Sequence, residues 1–245
     1  SLRMTSLLTL AGLLLAASLA AASLVPAGPA LPSDIINYLA LTEKKKADAT
    51  VCIDINFNHC QANLNIALGL DPNLYSWRNG TDIANAIAGI LEGDNVNAVL
   101  ALCNARALFQ QCLGAQFFSC TSYANLLTKP NADLVEVYNY VNSIYKLHFL
   151  CDAGFEEAVN DYLCLHTVSK TKPYLDCMTE FLIEVANDPN RLCRAVQRNA
   201  GCLNMVYFQG CPNVDANSAG WWGCELFRSS YEQACYEIPR CFVHH

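Results

Sequence analysis

Cysteine is the residue type with the most chemistry to offer in this sequence, and it recurs in a repeated phrase. "LCNARALFQQCLGAQFFSC" ends at Cys120, and "LCRAVQRNAGCLNMVYFQGC" ends at Cys211. Three cysteines correspond, Cys103 with Cys193, Cys112 with Cys202 and Cys120 with Cys211, each pair about ninety residues apart. The phrases also share Leu-Cys, an alanine two residues later, Cys-Leu, and an aromatic pair, Phe117-Phe118 against Tyr207-Phe208. The chain carries 14 cysteines: Cys52, Cys60, Cys103, Cys112, Cys120, Cys151, Cys164, Cys177, Cys193, Cys202, Cys211, Cys224, Cys235 and Cys241. A thiolate can attack, ligate a metal or oxidise. Zinc loops want closely spaced cysteine pairs, and no Cys-x-x-Cys occurs. The even count behind an export-like leader therefore reads as seven disulfides, with no metal or other cofactor called for.

Other reactive groups form no recognisable constellation. There is no Gly-x-Ser-x-Gly elbow and no His-x3–4-His pair. His148 lies beside an apolar helical stripe and reads as a packed imidazole. A secreted phospholipase would need a His-Asp pair beside adjacent cysteines and a glycine-rich calcium loop, and "FNHCQAN" has neither. Asp54, Asn56 and Asn58 alternate oxygen donors as a calcium loop would, but His59 stands where glycine is required. Asn79-Gly80-Thr81 is a glycosylation sequon. "GWWGC" sets Trp221 and Trp222 between glycines, which suits a recognition patch or a core plug equally.

Elements must hold these groups in place. Arg3 and the apolar run after it, ending in alanines near residue 22, read as a secretory signal peptide over 1–22. Residues 23–51 then read as a proline-punctuated linker and short helix from Ser33, with Lys44–Lys46 a possible propeptide processing site. Beyond this, apolar residues recur at three-and-four spacing and strand-like alternation is nearly absent, so the fold class is all-α. One helix is expected over "DLVEVYNYVNSIYKLHF" with Asn131 as its cap, one from Thr81 over "GTDIANAIAGIL", and one from Pro173 over "KPYLDCMTEFLIEVAN". Asp188 would cap the next, which Gly201 would close. Cys103 and Cys112 are nine residues apart, so on a continuous helix they face opposite sides and must bond to different neighbours. The same holds for Cys193 and Cys202.

"CQANLNIAL" from Cys60 matches "CDAGFEEAV" from Cys151 at the same offset as the cysteine phrases. We therefore expect two tandem, internally duplicated helical modules, over 52–150 and 151–245. Spacing alone leaves the bonding pattern open, a local Cys164–Cys177 pair included. The run Cys52, Cys60, Cys103, Cys112, Cys120 resembles the cysteine spacing of insect odorant-binding proteins. That resemblance implies a secreted all-α fold. The chain departs from the family in lacking a counterpart of its first cysteine and in the wider Cys52–Cys60 gap.

A net charge of −7 with only 15% charged residues disfavours nucleic acid and anionic membranes as partners. No later stretch is long and apolar enough to span a bilayer. The composition implies a secreted, extracellular, non-enzymatic protein that binds an extracellular protein, self-associates or serves as a structural component. One alternative is a carrier of a small apolar ligand held between helices; another is a venom or defence effector.

Overall fold

The computed structural model describes residues 51–73, 77–92 and 95–242. The expected leader, the Ser33 helix and Lys44–Lys46 lie outside the described residues. Within them every regular element is a helix. The first half holds α1 (Asp54–Ala67), α2 (Gly80–Leu91), α3 (Val96–Leu113), the short α4 (Phe117–Cys120) and α5 (Tyr123–Leu126), and the long α6 (Leu134–Cys151). The second holds α7 (Phe155–Asn160), α8 (Tyr162–Val168), α9 (Lys172–Asn187), α10 (Leu192–Gly210) and α11 (Ala216–Ser230). No described helix is long and apolar enough to cross a membrane.

Local chemistry sets the helix ends, and it corrects several expected caps. Asp133, not Asn131, caps α6, accepting from the backbone N–H groups of Val135 and Glu136 at 2.9 and 3.1 Å. Asn131 sits just outside with φ +58°, a left-handed turn that Asn tolerates. α2 begins at Gly80, and Thr81 turns to a neighbour: its N–H and hydroxyl donate to the Glu136 carboxylate at 2.8 and 3.0 Å. α9 carries its proline in the first turn as expected. Asp188 receives the Asn190 N–H at 3.1 Å in a 3-10 turn that leads into α10. Gly201 does not end α10, which continues through it to Gly210. Asp54, Asn56 and Asn58 lie on the first turns of α1, where a helix replaces the loop a calcium site would need.

One apolar core runs through both halves of the chain. Tyr123 stacks on Tyr138 at 6.3 Å, and Tyr138 meets Tyr231 at 6.4 Å. The N–H of Tyr123 donates to Gln233, and the Tyr162 hydroxyl donates to the Leu91 carbonyl. α11 lies close along α10 because Gly223 presents no side chain: a Cβ there would stand 2.1 Å from the Tyr207 ring.

All fourteen cysteines are paired, as Cys52–Cys120, Cys60–Cys112, Cys103–Cys151, Cys164–Cys211, Cys177–Cys202, Cys193–Cys235 and Cys224–Cys241. The two-sided reading of α3 and α10 holds: Cys103 reaches the end of α6 while Cys112 reaches α1, and Cys193 and Cys202 likewise take separate partners. Cys164 and Cys177 do not bond each other. Nor do Cys60 and Cys151 play equivalent parts, since Cys60 bonds Cys112 and Cys151 bonds Cys103. The match of "CQANLNIAL" to "CDAGFEEAV" therefore does not carry into bonding. Numbered from Cys52 to Cys151, six cysteines pair first to fifth, second to fourth and third to sixth. Cys164, Cys177, Cys193, Cys202, Cys211 and Cys235 pair in that same order, with Cys224–Cys241 added. No disulfide joins the two sets.

Candidate functional site

The tryptophan pair is divided by the fold. Trp222 is fully buried, and its indole N–H donates to the Gly154 carbonyl at 3.0 Å, so it plugs the core. Trp221, one residue earlier on α11, is turned about a quarter-circle around the helix and remains partly exposed. Its ring meets Phe149 of α6 at 5.7 Å and forms one wall of a surface hollow of about 160 Å³.

Polar groups converge on this hollow from α6, α11 and the C-terminal segment. His148 and Asp152 lie one turn apart at the end of α6, with Nδ1 and Oδ2 2.7 Å apart. Arg106 of α3 lies against both. Its guanidinium donates to the two Asp152 oxygens at 2.8 Å each and contacts the His148 ring nitrogen. A staple sits beside this cluster: Cys103, three residues before Arg106, is bonded to Cys151, the residue before Asp152. Phe118 packs edge-on against the imidazole at 5.6 Å.

Across the hollow, Glu225 and Arg228 form an ion pair at 2.8 Å with both side chains almost fully buried. The second Glu225 oxygen accepts the Cys241 N–H at 2.5 Å, and the Cys224–Cys241 bond anchors the same segment. At the rim, Arg240 lies 4.0 Å from Glu232. The disulfide outside the shared bonding order is therefore the one that brings the C-terminal segment over this site.

Burial holds the His148 pKa below its ordinary value, and the Arg106 charge adds to that effect. Asp152 and Glu232 oppose it. The imidazole is thus kept neutral in near-neutral solution. Ser229 also lines the hollow, but its hydroxyl donates to the Leu226 carbonyl at 3.1 Å. What the site offers is an aromatic wall rimmed by ion pairs and a fixed imidazole.

Size separates the uses open to such hollows. At about 30 Å³ per water, 160 Å³ holds about five waters, which is the scale of one side chain; small-molecule sites run to about 300–1,000 Å³. The interior cavity between α6, α9, α10 and α11, lined by Tyr174, Met178, Tyr207 and Phe227, is about 20 Å³, room for about one water.

Asn79 is exposed just before α2. The Thr81 hydroxyl of its sequon both donates to Glu136 and accepts from Asn139, so that end of the sequon is tied to α6.

Sequence reasoning singled out the Trp221–Trp222 pair without choosing between patch and plug, and it missed the Arg106–His148–Asp152 cluster. The His148/Asp152 spacing of four was visible, and so was Arg106 inside the repeated phrase. Their meeting depends on the packing of α3 against α6 and on the Cys103–Cys151 bond beside them, both of which spacing left open. No protein-family model, curated protein or solved structure matches this chain.

Proposed function

We propose that the chain is a secreted, non-enzymatic, disulfide-stapled helical protein that acts by binding an extracellular polypeptide. The hollow beside Trp221 carries this reading. It admits one apolar side chain of a partner against Trp221 and Phe149, and its rim of paired charges orients the surrounding contact. Complete pairing of the cysteines supports an oxidising compartment. Internal duplication is part of the proposal: the repeated order of bonding supports two tandem modules, the first closing at Cys151 and the second opening near Cys164. They share a core and are not hinged beads.

An apolar ligand carried in the interior finds less support, because the interior cavity has room for about one water. The test is native mass spectrometry of the oxidised protein from its own source. A polypeptide partner, or a multiple of the chain's own mass, is expected, and it should be lost from a recombinant Trp221→Ala chain mixed with the same partner. The bare chain without a polypeptide partner or second copy, whether or not it holds a small molecule, would overturn the reading.

A further inference from the structure

A second hollow, larger than the Trp221 site, shares no lining residue with it. α9 and α10 form a hairpin, closed at one end by the 3-10 turn Pro189–Arg191 and at the other by the Cys177–Cys202 bond. Between them lies a cleft of about 490 Å³, within the range of small-molecule sites and equal to about sixteen waters. Phe181, Ala195 and the disulfide give it an apolar floor.

Its polar groups favour a donor. Asn199 of α10 is 3% exposed on the inner wall; its amide nitrogen is directed to the Met178 sulfur at 3.5 Å, and its Oδ1 has no hydrogen-bond partner. A buried acceptor left unmatched keeps its desolvation penalty, so a ligand that supplies a donor recovers free energy there. The two guanidinium groups at the mouth are already matched, Arg198 to Glu184 at 3.1 Å and Arg191 to Asp188 at 3.0 Å. Glu180 has no counter-ion among the described residues, which leaves one negative charge in excess. A bare metal ion does not fit: no group of three or more ligating side chains comes together among the described residues, and the space is far larger than an ion.

We propose that the cleft between α9 and α10 binds a small organic ammonium ion, with its apolar body on Phe181 and the disulfide and its N–H donors toward Glu180 and Asn199. Nuclear magnetic resonance titration of the full oxidised protein tests this with three probes of one skeleton: phenethylammonium, phenethyl alcohol and phenylacetate. Saturable shifts confined to α9 and α10 are expected with the ammonium ion, at least about tenfold weaker with the alcohol and absent with the acid. Glu180→Gln, an exposed change that leaves the core intact, should weaken the ammonium ion several-fold. Asn199→Leu should weaken it too while raising the denaturation midpoint, because the unmatched acceptor is gone. Equal binding of all three probes, no saturation by about 10 mM, or full affinity in Glu180→Gln would overturn the proposal.

Discussion

Arg106 grips both carboxylate oxygens of Asp152 at 2.8 Å across 46 residues of chain, with only 4% of the Arg106 side chain exposed. A buried guanidinium that loses its counter-ion is left with most of its desolvation penalty. Asp152 is half-exposed, so water softens the loss. Asp152→Ala should therefore destabilise the protein by about 2 kcal/mol in urea unfolding, below the 3–5 kcal/mol of a fully enclosed pair. Arg106→Met paired with Asp152→Ala should recover part of that.

Burial is the main cause of the lowered His148 pKa, and the same contact modulates it. Asp152→Asn should lower the His148 pKa further, and Arg106→Met should raise it, both read by nuclear magnetic resonance. The folded imidazole gives up its proton more readily than the unfolded one. As pH falls from 6.5 toward the folded value, the unfolded state takes the proton first and stability is lost. The His148 contribution to the unfolding free energy should flatten once the pH passes below that value.

Lys146 is enclosed on α6 among Asn142, Tyr174, Tyr207 and Tyr231, and burial lowers its pKa from 10.5 to about 8. The unfolded amine holds its proton up to 10.5, so stability is lost as pH falls from 10.5 to 8. The full penalty, about 3 kcal/mol, is present at pH 7. Lys146→Met should accordingly stabilise the protein at pH 7 by up to about 3 kcal/mol, and the gain should shrink toward pH 10. Urea midpoints of the two chains at both pH values check this. An equal gain at each would show that packing, not charge, is responsible.

The adjacent tryptophans should behave as opposites. Trp222→Ala opens the core and should cost about 3–5 kcal/mol. Trp221→Ala should cost under about 1 kcal/mol and leave circular dichroism unchanged, while abolishing partner binding.

Asn79 should carry a glycan when the protein is made in a eukaryotic secretory pathway. A mobility shift on glycosidase treatment that disappears in Asn79→Gln checks it. Gly80→Ala keeps the sequon but sets a Cβ 1.9 Å from the Glu136 carbonyl, so it should lower the melting temperature without removing the acceptor.

How much of this was legible beforehand follows from the range of each force. The stripe Val137, Tyr138, Val141 and Ile144 reports burial along one helix, so α6 could be read from residues close in sequence. The nine-residue step from Cys103 to Cys112 required two separate partners. Which partners depends on contacts 48 and 52 residues away, where local pattern says nothing. Asn and Asp share the capping propensity, so local sequence points to Asn131 as readily as to Asp133; only backbone geometry gives the role to Asp133. The resemblance of "CDAGFEEAV" to "CQANLNIAL" was a match of letters. Cys151 closes the first bonded set, and its counterpart in bonding order is Cys235.

The bonding order also bears on how the chain comes into being. Synthesis releases Cys52 first, yet its partner Cys120 follows 68 residues later, after Cys60, Cys103 and Cys112 have already appeared. The Cys103–Cys151 link then straddles both earlier loops. A thiol that bonds whichever neighbour emerges next is wrong in every case, and the second set presents the same trap again. Maturation is thus expected to be a sorting problem, in which free thiolates attack mispaired disulfides until the native set forms. A disulfide isomerase, more than an oxidant, should govern how fast the native protein accumulates.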